Sequence, residues 1–385
     1  MEQLGVASRA RSSARIVAVT GSVGKTSTKE ALRLALMRQG STHASLASYN
    51  NHWGVPLTLS RMPRETRYGI FEIGMNHPGE ILPLTAMVRP HVALVTNVEP
   101  VHIQYFRSAS AIADAKGEIF SGLEPGGTAV LNRDNPHWER LRSHAFASRA
   151  GRVVTFGEHE AADIRAERII LKSDTSIVDA LIFGRRVTYR LGTPGRHIAI
   201  NSLGVLEAVD ALGADLAIAA LALAHASAPV GRGERTRLSL GSGDALLIDE
   251  SYNANPASVR AALATLGSAE TGKRGRRIAV LGDMLELGPD GGALHRALVE
   301  PIEAHRVDLV FTAGSLMQEL FAALPASRRG DHAPTAAELV TSVVQAVQPG
   351  DVVMVKGSNS IRMATIVKAL KEASSAGRAV VAAEG

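Results

Sequence analysis

Two glycines, a lysine and a threonine at fixed spacing are the residues of this chain best suited to chemistry. They are Gly21, Gly24, Lys25 and Thr26, within the run Val17-Ala-Val-Thr-Gly-Ser-Val-Gly-Lys-Thr-Ser27. Glycines let a backbone approach a ligand closely and turn several N–H groups toward one anion. A helix beginning just after them adds the positive end of its dipole. At this spacing the lysine reaches the β- and γ-phosphates of a nucleotide, and the next hydroxyl can sit on Mg²⁺. Gly21, Ser22, Val23, Gly24, Lys25, Thr26 and Ser27 are therefore the candidate ATP-binding residues. The longer form of the pattern has a glycine where Val19 stands, and two glycines can also serve only to close a tight strand-to-helix turn. A lysine directly after the second glycine favours the phosphate reading.

The elements that must hold this loop are legible on either side of it. Residues 16–20 form an apolar, mostly β-branched run of the kind that makes a buried parallel strand, and residues 26–36 repeat apolar side chains at helical spacing. Further strands are predicted at 68–73, 92–98 and 129–131, with helices near 110–123 and 136–145. Such alternation predicts an α/β fold with a mostly parallel sheet covered by helices. From 152 to 191 the pattern changes to short alternating strands (168–171, 177–183, 186–191), predicting a small β-rich subdomain, and helices follow at 197–212 and 215–225. A linker near 228–234 leads into a second βα series at 245–248, 257–266, 277–281, 294–305, 309–313, 336–347, 351–355 and 361–373. That series reads as a Rossmann-like domain without the Gly-x-Gly-x-x-Gly fingerprint. The expected organisation is a short N-terminal extension (1–14), a central ATP-binding domain (15–228), a C-terminal Rossmann-like domain (229–375) and a flexible tail (376–385).

Composition narrows the function. A chain of 385 residues, 45% hydrophobic, is long enough for two or three domains with cores of their own. With no cysteine, disulfides, thiolate catalysis and Cys-based zinc sites are excluded. Arg9, Arg11 and Arg15 are not followed by the apolar stretch of a secretory signal, and no apolar run is long enough to span a bilayer. A cytoplasmic protein with no membrane partner is expected. The net charge of +5 is dispersed, aromatics are 4%, and no nucleic-acid module is visible, so anionic small substrates account for the basic excess and no nucleic-acid partner is expected. Only eight of the 42 Lys plus Arg residues are lysines, which draws attention to Lys25, Lys116 and Lys356 as places for a compact ammonium or a deprotonatable amine.

The separated motifs converge on a family. Thr20-Gly-Ser-Val-Gly-Lys-Thr-Ser27, Tyr49-Asn-Asn-His-Trp-Gly-Val-Pro-Leu57, Glu72-Ile-Gly-Met-Asn-His-Pro-Gly-Glu-Ile81, Ile248-Asp-Glu-Ser-Tyr-Asn-Ala-Asn-Pro256, Val280-Leu-Gly-Asp-Met-Leu-Glu-Leu-Gly288 and Val355-Lys-Gly-Ser-Asn-Ser360 together resemble the Mur ligases, in order, from about residue 15 to 373. The resemblance implies an ATP-dependent amide ligase that adds D-alanyl-D-alanine to a UDP-MurNAc-tripeptide through an acyl phosphate, in peptidoglycan precursor synthesis. It implies two Mg²⁺ ions, with Thr26, Glu72 and His102 at metal-binding positions. It places Lys116 where many Mur ligases carry a carbamylated lysine able to help hold the second ion. It assigns Asn201, Arg235 and Asp249 (or its neighbour Glu250) to the nucleotide, and Asn50, Asn51, Asn253, Lys356, Ser358 and Asn359 to substrate. From the residues alone, Lys116 reads as an exposed helix lysine spaced to pair with Asp114 or Glu118, His102 as a loop histidine and Asn201 as a helix cap.

Three departures from the family pattern stand out. Ser22-Val23 replaces the more usual Thr-Asn, Glu99-Pro100-Val101 precedes His102 where small residues are more usual, and arginine is frequent where Asn359 stands. Family members also carry an N-terminal UDP-binding domain ahead of the ATP strand, which here begins at Ile16. A separately encoded N-terminal domain is one expected partner. The residues also allow two alternatives: a related ligase with another acid and amine, of the folylpolyglutamate or cyanophycin type, or a nucleotide-binding fragment active only with another chain. In the first reading ATP lies between the domains, which close on it about the linker near 229–233.

Overall fold

The computed structural model describes residues 1–46, 48–100, 103–106 and 108–383, and the chain divides into two compact units, Met1–Ala226 and Ser227–Gly385. In the first unit the elements run α1 (Glu2–Ala10), β1 (Arg15–Thr20), α2 (Lys25–Met37), β2 (Thr42–Ala44), α3 (Gly54–Ser60), β3 (Tyr68–Glu72), α4 (Ile81–Val88), β4 (Val92–Val95), α5 (Ala109–Gly117), β5 (Gly127–Asn132), α6 (Trp138–Phe146), β6 (Ala150–Gly157), β7 (Ile164–Leu171), β8 (Ser176–Ile182), β9 (Arg185–Leu191), α7 (Arg196–Ala211) and α8 (Leu216–Leu223). The strands form one sheet in the order β2-β3-β1-β4-β5-β6-β7-β8-β9. It is parallel from β2 to β7 and antiparallel from β7 to β9, so the β-rich stretch is a ribbon continuing the edge of the parallel sheet.

The period of two along β1 explains why this sheet is buried on both faces. Val17 and Val19 point into a core with Leu32 and Leu36 of α2 and Leu203 and Leu206 of α7. Ile16 and Ala18 point into the opposite core, with Phe71, Ile112, Ile119 and Phe120. Each such fully buried large side chain contributes about 1.5–3 kcal/mol. Central β1 thus carries the glycine loop on a strand that cannot shift without disturbing two cores.

Residues ahead of β1, expected only as an extension, include the helix α1. Its Arg9 is 4% exposed and donates to the Val88 and Arg89 carbonyls at 2.7 and 2.9 Å, closing the C-terminal end of α4. Positively charged donors suit that end of a helix.

The second unit comprises β10 (Glu234–Ser239), β11 (Asp244–Glu250), α9 (Pro256–Ser268), β12 (Arg277–Gly282), α10 (Gly291–Arg296), α11 (Val299–Ala304), β13 (Leu309–Ala313), α12 (Met317–Ala323), β14 (Arg329–Ala333), α13 (Ala336–Ala346), β15 (Val352–Lys356) and α14 (Ala364–Ala383). Its sheet has the order β10-β11-β15-β12-β13-β14 and is parallel except for β10. The single helix predicted over 294–305 is two helices. Pro301 has no N–H to give the Ala297 carbonyl, so the chain restarts and seats Pro301 in the first turn of α11. α9 begins where its sequence says it should, with a reciprocal Asn255–Ser258 capping box and Pro256 at its first position.

Candidate active site

The loop after β1 is shaped by contacts that no other residue type would permit. Gly21 has φ +148°, and a Cβ there would lie 1.9 Å from the Thr96 hydroxyl. Gly24 has φ +86°, and a Cβ there would lie 2.4 Å from the Asn201 side-chain nitrogen. Asn201 is in the second turn of α7, inside the helix rather than capping it, with its amide against the glycine loop. Ser22 N–H donates to the Asn97 carbonyl and Val23 N–H to Asn97 Oδ1, each at 3.0 Å. Ser22 Oγ donates to the Glu99 carbonyl and accepts from the Glu99 N–H, at 3.0 and 2.9 Å. Lys25 Nζ donates to the Gly21 carbonyl at 2.6 Å, arching over the loop. Ser27 lies behind it on α2, lining a cavity of about 30 Å³ with Thr28, Asn201 and Ser202.

Beside the loop, oxygen ligands gather at the ends of β1 and β3. Thr26 Oγ1 donates to Glu72 Oε2 at 2.9 Å, and Asn50 Nδ2 donates to Glu72 Oε1 at 2.8 Å. Thr26 and Glu72 are both buried, and Ser48 Oγ lies 3.5 Å from Thr26 Oγ1. A hydroxyl beside a carboxylate is a hard-oxygen set suited to Mg²⁺. Among the described residues no three His, Asp or Glu side chains come together as a metal cage, so phosphate oxygens or water would have to complete such a site. Asn51 takes a different part: its Oδ1 accepts from Trp53 N–H and Gly54 N–H, turning the chain into α3. His102 lies outside the described residues.

Lys116 corrects the sequence reading. It is 2% exposed, where an exposed helix lysine was expected. The reason is helical spacing: Lys116 shares a face with Ile112 and Ala113, which pack into the core. Asp114 points the other way and binds Arg140 at 2.5 and 2.8 Å and His144 at 2.9 Å. Glu118 accepts from Gly79 N–H at 2.9 Å. No hydrogen bond or ion pair reaches the Lys116 ammonium among the described residues. Burial, reinforced by the Lys25 cation, holds its pKa well below the usual lysine range.

In the second unit Arg235 lies on β10 opposite Ile248, and Asp249 and Glu250 take opposite faces of β11. Asp249 Oδ1 accepts from the N–H and hydroxyl of Ser251 at 3.0 and 2.6 Å. Glu250 instead meets Lys356 at 3.2 Å, and Lys356 also donates to the Asn253 carbonyl at 3.0 Å. Asn253 Oδ1 accepts from Ala254 N–H, while Ser358 accepts from Leu285 N–H through its hydroxyl and donates its own N–H to the Asp283 carbonyl. Asn359 is exposed at the start of a 3₁₀ turn. These contacts bind the loops after β11, β12 and β15 to one another.

Sequence reasoning passed over Thr96, Asn97, Lys29 and His295. Lys29 is fully buried and donates to the Ser45 carbonyl at 2.8 Å. In a chain with so few lysines, one inside a helix was a usable signal. His295 accepts from Met284 N–H at 2.9 Å and meets the Gly291 carbonyl at 2.6 Å; burial lowers its pKa and keeps the ring neutral for that pairing.

A glycine loop between a buried strand and a helix, with a lysine and a hydroxyl–carboxylate pair at its mouth, defines a phosphate-loop nucleotide-binding unit, here followed by a Rossmann-like one. The Mur ligase middle domain pattern matches residues 19–209, and the pattern of the Mur ligase glutamate ligase domain matches residues 231–359. The chain belongs to the Mur ligase family. It is 36% identical over 371 residues to the UDP-N-acetylmuramoyl-tripeptide–D-alanyl-D-alanine ligase of Escherichia coli, covering 93% of this chain and 77% of that protein. The crystal structure of MurF from Acinetobacter baumannii superposes with a TM-score of 0.86 at 29% identity, covering 96% of this chain and 80% of that one. A Thermotoga maritima MurF ligase in complex with ADP shares the fold, with a TM-score of 0.82 at 23% identity over 97% of this chain and 84% of that one.

Proposed function

We propose that this chain is an ATP-dependent amide ligase acting in the cytoplasm, and that it joins D-alanyl-D-alanine to a UDP-MurNAc-tripeptide, the two substrates that its relatives' names give for them. The observation carrying the reading is the constrained loop Gly21–Thr26, with Thr26 bonded to Glu72, in a chain alike in sequence to such a ligase over 93% of its own length. In the reaction the γ-phosphoryl group of ATP passes to the terminal carboxylate of the tripeptide, giving an acyl phosphate and ADP. The dipeptide amine then attacks the acyl carbon, the tetrahedral intermediate expels phosphate, and the amine proton is released.

Residues of the first unit divide this work by chemistry. The N–H groups at the start of α2 and the Lys25 ammonium face the phosphates and stabilise charge that builds up during transfer. Thr26, Glu72 and His102 are suited to hold Mg²⁺, which when bound would screen the phosphate charge. Lys116, buried and biased toward the neutral amine, is suited to add CO₂: its nitrogen bonds the carbon and loses a proton, leaving a carbamate able to help hold a second ion. Asn201, whose amide lies against Gly24, is assigned to the nucleotide. In the second unit Arg235 and Asp249 are assigned to ATP, and Asn253, Ser358 and Asn359 to the dipeptide, with Lys356 fastening their loops. Asn50 would orient Glu72, and Asn51 would shape the turn toward the tripeptide.

The test is a ligase assay with Mg-ATP, UDP-MurNAc-tripeptide and D-alanyl-D-alanine, read by mass spectrometry beside Lys25→Ala. Product that disappears in the variant supports the reading. A chain that binds ATP yet ligates only when D-alanyl-D-alanine is replaced by glutamate would move it to the folylpolyglutamate type.

A further inference from the structure

Four neighbouring strand ends in the first unit are joined by side-chain amides and a carboxylate. Asn132, at the end of β5, donates from Nδ2 to the Thr96 carbonyl at 2.9 Å. Asn135 donates from Nδ2 to the Val98 carbonyl at 2.9 Å. Both are buried, 9% and 5% exposed, and each uses its Oδ1 to hold its own turn, accepting from Asp134 N–H and His137 N–H at 2.9 Å. Behind them Asp134 accepts from Glu158 N–H and His159 N–H, each at 2.8 Å, which ties the turn to the end of β6. Ahead of them, the segment they grip is the one that grips the phosphate loop. Thr96 Oγ1 donates to the Val23 carbonyl at 2.7 Å, and Asn97 takes the N–H groups of Ser22 and Val23.

Resting on the nucleotide reading above, we propose that Asn132 and Asn135 are positioning residues for ATP. They set the height of the 96–98 segment, and through Asn97 and Thr96 they fix the conformation in which the loop's remaining N–H groups converge. The physical case is that a phosphate cradle must be built before the anion arrives, because reorganising it on binding costs affinity. Asn97 commits the two N–H groups at the loop's apex, and buried carbonyls on its flanks leave it one register only if they too are bonded. A carbonyl left unpaired in that interior would relax toward another partner and carry Asn97 with it. Among the described residues the hydrogen bonds of both asparagines go to their own turns and to the 96–98 segment, so nothing in their local sequence announces the role.

Asn132→Asp and Asn135→Asp make the sharpest test, since each keeps Oδ1 on its turn and turns the donor to the 96–98 segment into an acceptor that repels the carbonyl it faced. Mg-ADP affinity is measured by calorimetry on the full chain, and KM for ATP and for D-alanyl-D-alanine in the ligase assay. Arg9→Met is the control, because it leaves the Val88 and Arg89 carbonyls without their donor on another element of the same unit. The expected result is an Mg-ADP Kd about tenfold weaker in each Asn→Asp variant, equivalent to about 1.4 kcal/mol. KM for ATP should rise in step while KM for the dipeptide holds, and Arg9→Met should lower Tm without moving Kd. Amide hydrogen exchange without nucleotide should also quicken at Ser22 and Val23 in both Asn→Asp variants. If these variants lower Tm but leave Kd and exchange at the control's values, the asparagines are merely structural and the proposal fails. If wild type binds no Mg-ADP, the nucleotide reading fails and the positioning role falls with it, whereas unchanged exchange beside normal binding overturns the positioning role alone.

Discussion

Lys116 and Lys356 are both nearly closed off from solvent, at 2% and 3% exposure, but they keep different company. Lys356 in the second unit is answered by Glu250 at 3.2 Å and by a backbone carbonyl at 3.0 Å. Lys116 in the first unit has neither a counter-ion nor a hydrogen bond among the described residues, and its nearest electrostatic influence is another lysine. Burying an ammonium costs several kcal/mol unless it is paired, so the first arrangement keeps its charge and the second favours the uncharged amine. Paired burial occurs in both units: Asp351 meets Arg276 at 2.7 Å in the second, and Lys29 meets Glu30 at 3.1 Å in the first.

The largest effect that would break this comparison is on turnover. Lys25→Ala should lower ligase kcat by about 10²–10³-fold, as removal of a transition-state donor does, with the folded state unaffected by circular dichroism. Lys116→Met should be about as damaging to kcat, yet no less stable to urea than wild type, because it removes an unpaired amine. Lys356→Met should do the reverse in stability, losing about 3 kcal/mol by urea unfolding, the low end for a buried pair because Glu250 keeps some solvent. If Lys116→Met unfolds and Lys356→Met does not, the distinction between the unpaired and the paired lysine is wrong.

Proton linkage sharpens the comparison. Lys116 has a folded pKa depressed below its ordinary 10.5, so the unfolded chain binds the extra proton between the two values. Its contribution to stability is fully present above the unfolded value and declines as pH falls toward the folded one. In CO₂-free buffer, wild type should therefore gain stability relative to Lys116→Met as pH rises from neutrality toward the lysine range, and a flat difference would contradict the burial. Glu72→Gln should raise the Mg²⁺ needed for half-maximal activity by about tenfold, the scale for losing a ligand partner. Smallest of all, Asn255→Ala should cost about 1 kcal/mol through the lost capping box and leave KM for ATP unchanged.

Much of this arrangement is legible in the amino-acid sequence. The strand, loop and helix from Ile16 to Met37 declare themselves through β-branched residues, glycines and helical spacing, because each signal is local. Pro301 held the break between α10 and α11 in plain sight, whereas β14, Arg329–Ala333, has no apolar run to mark it. What could not be read is who sits beside whom. Lys116 and Asp114 are two residues apart on one helix, and only the packing of α5 decides which goes inward. Likewise Asn132 and Asn135 matter because β5 lies next to β4 and β4 next to β1, an adjacency the chain order does not reveal.

The closed setting of Lys116 also bears on how this protein meets reactive small molecules. Lys29, Lys116 and Lys356 are all buried, so acylating reagents aimed at amines should label the exposed Lys172, Lys273 and Lys368 and pass over the three inside. Burial favours the Lys116 amine in its uncharged, nucleophilic form. Its enclosure therefore shields from bulky electrophiles an amine that its own burial would otherwise make a ready nucleophile.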